Sequence, residues 1–180
     1  IAYGEYLDPV KVPLEDGEAD GLEIWQFNRR GKGCLSYVIL SCGEAVIVDA
    51  SRAIEIYESF LVDANARLVY VLDTHVHADH ISGGPALAAR SGAPYFVRGG
   101  SGFDLQQRTS SLKDNDELQL GKTSIRVLAT PGHTPGSVCY LLANHYLLSG
   151  DTLFKTAVGR PDLGGNVIEY NALAENLDSN

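Results

Sequence analysis

The chain has 180 residues, 44% of them hydrophobic and 21% charged, which is length enough for one substantial core and an ordinary globular balance. A formal net charge of −9 disfavours electrostatic capture of phosphate backbones or anionic lipid, both of which need clustered Lys and Arg, so nucleic acid is not an expected partner. No apolar run approaches the roughly 20 residues of a membrane span, and residues 1–8 carry no basic start or apolar signal core, so a soluble protein folded as a single domain over residues 1–180, with no membrane partner, is expected.

Apolar and β-branched runs with period-two character at residues 22–27, 35–40 and 45–48, separated by Gly-rich or Cys-Gly turns, predict antiparallel strands. Residues 53–65 place Ile54, Tyr57, Phe60, Leu61 and Ala64 at near-helical spacing, with Asp49 or Ser51 available as a cap. Residues 68–72 form a short continuous apolar run of the fully buried kind. A short helix is expected at 85–90, ended by Gly92, and a strand at 94–97. Residues 99–115 are rich in Gly, Ser, Asp and Gln without periodicity, and predict an irregular loop suited to covering a substrate. Strands resume at 124–129, 138–142 and 145–148, and a final helix starts near Val167 and runs to the end. Cys34, Cys42 and Cys139, odd in number and outside any C-x-x-C arrangement, fit a reducing cytoplasm and read as small hydrophobes buried in strands.

Three of these apolar strands run straight into a polar group able to bind metal. Residues 68–72 lead to His75, residues 124–129 to Pro131-Gly132-His133, and residues 145–148 to Gly150-Asp151. Side chains at strand ends converge on one edge of a sheet, where α/β architectures place their sites. In Thr74-His75-Val76-His77-Ala78-Asp79-His80, His75 and His77 are two apart and in extended backbone would point the same way, while Asp79 and His80 continue around a turn. Against this stands the plainer reading of a solvated polar loop, which the density of three of the five histidines in one segment disfavours. The prolines and glycines around His133 fix a rigid turn that presents its imidazole without an ordering cost, the alternative being a turn-capping histidine. A carboxylate at Asp151, ending an apolar strand, is costly unless paired or metal-bound, the alternative being an N-cap. His145 is assigned no role. Two histidines and one carboxylate with open positions form the facial arrangement of non-haem Fe(II) oxygen chemistry, whereas further His and Asp ligands suit one or two Zn²⁺ ions that activate water; both stay open.

The segments THVHADHISGG, TPGHTPGS and SGDTLF, in this order, resemble the signature of the metallo-β-lactamase superfamily. The resemblance covers nearly the whole chain. It implies an α+β fold, a four-layer αββα sandwich with the metal site along one edge, and one that is C-terminally incomplete, because relatives continue with further helices and a strand carrying another histidine. Ala78, together with Val158-Gly159-Arg160-Pro161-Asp162-Leu163, resembles the persulfide dioxygenases, especially bacterial forms fused to a rhodanese domain. Glyoxalase II more often has a bulky aromatic where Ala78 stands. The resemblance then implies one Fe(II) per chain held by His75, His133 and Asp151. His77, Asp79 and His80 would surround it, becoming ligands themselves in a centre of one or two zinc ions. Asp79, Arg160 and Asp162 are the implied catalytic residues beyond the ligands, the latter two through an ion pair or hydrogen-bond network bracing the site. The implied reaction oxidises glutathione persulfide or a related low-molecular-weight persulfide with O₂ to sulfite and thiol. The implied partners are that persulfide, O₂, a rhodanese domain in a longer protein and a homo-oligomer. The alternatives are a glyoxalase II-type thioester hydrolase and an inactive metal-binding module.

Overall fold

Period-two alternation in the first half of the chain builds a sheet that is apolar on both faces. The computed structural model describes residues 8–15, 21–29, 34–77, 81–98, 109–110, 112–155 and 157–159. Strands β1 (Val10–Lys11), β2 (Leu22–Asn28), β3 (Leu35–Ser41), β4 (Glu44–Val48), β5 (Arg67–Asp73), β6 (Tyr95–Val97) and β7 (Thr109–Ser110) form one seven-stranded sheet in chain order. The pairings from β1 to β4 are antiparallel and those from β4 to β7 parallel. Helices α1 (Glu55–Asp63) and α2 (Gly84–Ser91) supply the crossovers that parallel pairing requires. A second, antiparallel sheet holds β8 (Glu117–Leu120), β9 (Thr123–Ala129), β10 (Val138–Leu142) and β11 (Tyr146–Leu148) in the order β11-β10-β9-β8. A two-stranded hairpin, β12 (Leu153–Phe154) with β13 (Ala157–Val158), follows.

Neighbouring residues of the first sheet divide between two cores. Val38, Ala45, Ile47 and Val71 face Tyr57 and Leu61 of α1 and Leu87 of α2. Ile39, Val46, Val48 and Leu72 face Ile125, Val127, Val138, Tyr140 and Leu142 of the second sheet. All of these sheet-1 residues are fully buried, and a one-residue slip of register would exchange the two cores. Each such side chain contributes about 1.5 to 3 kcal/mol by leaving water. The described layers are therefore helix, sheet and sheet.

At the start of β4 and β5 the two sheets are fastened through a glycine. A Cβ on Gly121, at φ +52°, would lie 2.4 Å from the Ser41 carbonyl oxygen. The Gly121 N–H donates to Glu44 Oε2 at 2.9 Å. The opposite strand ends are left for polar side chains.

Several expectations change. α1 is shorter than residues 53–65, and its cap position is Ile54, with no side-chain bond to the helix. Asp49 and Ser51 are engaged elsewhere, with Thr74 and Tyr57 respectively. Within 99–115, Thr109–Ser110 pairs in parallel with Tyr95–Phe96, so backbone hydrogen bonding makes a strand where side-chain pattern shows none; residues 99–108 and 111 lie outside the described residues. β8, β1 and the β12–β13 hairpin carry too little alternation to be read in advance. Only Val71–Asp73 of β5 is fully buried, not the whole of 68–72. Of the cysteines only Cys139 is buried; Cys34 is half-buried before β3, and Cys42 is exposed in the β3–β4 turn at φ +52°. The final helix expected near Val167 lies outside the described residues. No helix among those described is long and apolar enough to cross a membrane.

Candidate metal centre

The parallel pairing of β4 and β5 brings their C-terminal ends together, and β9 and β11 of the second sheet end at the same edge. Asp49 follows β4, Thr74 to His77 follow β5, His133 follows β9 and Asp151 follows β11. The edges are bound to one another by backbone. Val138 N–H donates to the Thr74 carbonyl at 2.8 Å, and the buried Tyr140 hydroxyl donates to the Asp73 carbonyl at 2.9 Å. Gly150, at φ +49°, permits a close approach between the sheets: a Cβ there would sit 2.3 Å from Thr74 Oγ1. The Ser-Gly-Asp sequence thus lets Asp151 reach a histidine carried on another sheet.

His75 and His133 are buried, 3% and 6% exposed, with rings perpendicular and centroids 4.9 Å apart. Asp151 Oδ2 lies 4.0 Å from His75 Nε2 and 3.6 Å from His133 Nε2. The three donors lie within 4.8 Å of one another. An ion about 2.1 Å from each donor spans a pair closer than about 4.2 Å, and both His–Asp separations satisfy this, so Asp151 can share a divalent metal with either histidine. The Asp151 side chain is 46% exposed, which corrects the expectation that burial makes it costly. Its placement against two buried imidazoles, not desolvation, makes it able to share a metal with them, and its exposure leaves a path from solvent.

Thr74 sets the protonation of His75. Its N–H donates to Asp49 Oδ1 at 2.7 Å and its hydroxyl donates to Asp49 Oδ2 at 2.8 Å. With that proton committed, Thr74 Oγ1 is left to accept from His75 Nδ1, 3.0 Å away. His75 is therefore the Nδ1–H tautomer, and its Nε2 lone pair is directed at the group shared with His133 and Asp151.

His77 departs from the expectation of a common direction. Its ring lies beside that of His75, centroids 4.1 Å apart, but its Nε2 is 3.3 Å from Asp49 Oδ1. It belongs to a second group with Asp49 and Asp73, whose ligand atoms also lie within 4.8 Å of one another. Burial alone would raise the Asp49 carboxyl, but the hydrogen bond and charge of His77, with the Thr74 N–H, outweigh it and hold it below the ordinary value. Asp73 moves the other way, to about 6, because burial and then the neighbouring Asp49 charge disfavour its anion. Its Oδ2 accepts from the Tyr95 hydroxyl at 2.5 Å. Asp49, Thr74 and Asp73 were not foreseen as site residues, although Asp49 ends an apolar strand just as Asp151 does. Asp79, His80, Arg160 and Asp162 lie outside the described residues.

Residues 29–178 match the model of the metallo-beta-lactamase superfamily. A hydroxyacylglutathione hydrolase of Acidiphilium cryptum is 41% identical over 112 residues, 62% of this chain and 44% of its own length. The persulfide dioxygenase ETHE1 of Bos taurus is 33% identical over 138 residues, 74% of this chain and 54% of its own. Among solved structures, ETHE1 from Myxococcus xanthus superposes with a TM-score of 0.75 at 30% identity, covering 86% of this chain and 69% of that one. The chain spans about half the length of the curated relatives it matches. With three donors from three strand ends converging at the edge of a two-sheet fold, and a family match over most of its length, this chain belongs to the metallo-beta-lactamase superfamily.

Proposed function

We propose that the chain is a persulfide dioxygenase of the cytoplasm, binding one Fe(II) through His75, His133 and Asp151 and oxidising a small thiol persulfide with O₂ to sulfite and thiol. One observation carries this reading. Among the described residues, the donor atoms divide into His75, His133 and Asp151 on one side and His77, Asp49 and Asp73 on the other, so the first group is a two-histidine, one-carboxylate set. The likeness to ETHE1 proteins supports it in sequence and in fold.

Iron held by His75, His133 and Asp151 would supply the redox chemistry. The chain supplies the order. Thr74 keeps His75 in the tautomer that offers Nε2, and Asp49 keeps Thr74 in place. His133 and His75 form the buried wall, so the persulfide approaches from the half-exposed Asp151 side. His77 is oriented by Asp49, which leaves only its Nδ1 face turned away from that carboxylate.

The competing hydrolase is favoured by the 41% identity to a hydroxyacylglutathione hydrolase. Oxygen-electrode assays on the iron-loaded chain with glutathione persulfide separate the two. The proposal expects O₂ uptake with sulfite formed in equal amount and no turnover of S-lactoylglutathione. Thioester cleavage without O₂ uptake by the zinc-loaded chain would assign the hydrolase instead.

A further inference from the structure

A cleft of about 430 Å³ opens beside the metal group, a volume in the range of small-molecule sites. Asp49, His77 and Asp151 line it, together with the apolar Leu35, Leu147, Leu153 and Phe154; of the His75, His133 and Asp151 group, Asp151 is the member that reaches it. Those four apolar side chains are 37 to 47% exposed, a rim of hydrophobic surface around a polar floor. Lys155 is the only cation among the described residues that line the cleft. It stands in the turn between β12 and β13, and no described carboxylate forms an ion pair with it.

The turn is held in register with the metal ligands. Ser149 Oγ donates to the Leu153 carbonyl at 2.7 Å, and the Thr152 N–H donates to the Ser149 carbonyl at 3.0 Å. At the far end of the hairpin, the Gly159 N–H donates to the Thr152 carbonyl at 3.3 Å. A Cβ on Gly159 would lie 1.6 Å from the Asp151 carbonyl oxygen, so the hairpin closes tightly on the ligand-bearing segment. The backbone of Lys155 is thereby tied to the segment that carries Asp151, and both residues line the same cleft. In a chain of net charge −9, anions are repelled by the overall field, and a single cation in an apolar-rimmed cleft makes a local exception.

We infer that Lys155 is a specificity-determining residue: it receives the carboxylate of a thiol-derived substrate whose sulfur lies at the His75, His133 and Asp151 group and whose aliphatic linker runs along Leu153 and Phe154. The inference rests on the persulfide reading for its substrate and deepens it. It selects short, carboxylate-bearing persulfides over neutral ones.

The test uses the persulfides of 3-mercaptopropionate and 2-mercaptoethanol, which share a two-carbon linker and differ in charge. The iron-loaded chain should favour the first in kcat/KM. K155Q should remove that preference by about five- to tenfold, carried in KM, as expected for one partly solvated charge-assisted contact, and K155R should restore it. The preference should also shrink as ionic strength rises. An equal change for both persulfides, or none, would overturn the inference. Calorimetric titration of the metal-loaded chain with the two parent thiols gives a readout without turnover. If wild type consumes no O₂ with either persulfide, the dioxygenase reading fails and calorimetry alone decides Lys155. Tighter binding of 3-mercaptopropionate that is lost in K155Q supports its role, and equal binding by wild type and variant overturns it.

Discussion

Among the described residues, two carboxylate–histidine groups stand side by side at one sheet edge, and they differ in how their polar atoms are occupied. In the group of Asp49, Asp73 and His77, both oxygens of Asp49 accept from Thr74, Asp73 accepts from Tyr95, and His77 faces Asp49. In the group of His75, His133 and Asp151, the Nε2 atoms converge on a half-exposed carboxylate oxygen. The same residue types are carried in part on the same five-residue stretch, and on the proposed reading they make an internal brace in one place and a ligand set in the other. The carboxylates separate the two groups: Asp49 and Asp73 are buried, 7% and 1% exposed, and accept hydrogen bonds inside the protein, whereas the Asp151 side chain is 46% exposed.

The largest effect should come from the ligand group. His75→Ala or His133→Ala is expected to abolish retention of one iron per chain through gel filtration, measured by metal analysis, while the fold survives. Next is the contact that joins the groups. Gly150→Ala places a Cβ 2.3 Å from Thr74 Oγ1 at a positive φ and should cost about 2 to 4 kcal/mol in urea unfolding. Gly43→Ala, at φ +78° with nothing within 4 Å of its Cβ, isolates the backbone part of that cost and should lose only about 1 to 2 kcal/mol.

Asp49→Asn sharpens the comparison further. An asparagine amide donates to Thr74 Oγ1, which frees the threonine proton for His75 Nδ1 and turns His75 into the Nε2–H tautomer. Metal affinity should fall about 10- to 100-fold, and imidazole ¹⁵N shifts of the metal-free chain should report the changed tautomer.

The smallest effect concerns pH. Asp73 titrates at about 6 when folded against an ordinary value of 3.8, so the folded chain holds that proton longer than the unfolded one. Its contribution to stability is greatest below pH 4 and is lost as pH rises to about 6. Asp73→Asn should remove this decline, so that the difference in unfolding free energy between variant and wild type, both metal-free, grows in the variant's favour from pH 4 to 6.

Much of the fold is legible before any coordinates, because the core strands are short apolar and β-branched runs set off by turn residues. Val38 and Ile39, or Val46 and Ile47, show their opposite faces in the bare sequence. The short strands are not legible: Thr109–Ser110 and Leu153–Phe154 exist through backbone pairing, which two side chains do not announce. In the site, His75, His133 and Asp151 follow from apolar runs that end in polar groups. Asp49 obeys the same rule and is nonetheless misread as a helix cap, since a short carboxylate before a helix carries both signals. The divergence of His77 from His75 is invisible at the level of spacing, because it depends on Asp49, carried by a neighbouring strand.

Iron K-edge X-ray absorption of the loaded chain tests the central claim most directly. The account predicts one iron with nitrogen and oxygen donors, two of them imidazoles, and no metal–metal distance. A third imidazole, or a second metal about 3.5 Å away, would contradict it.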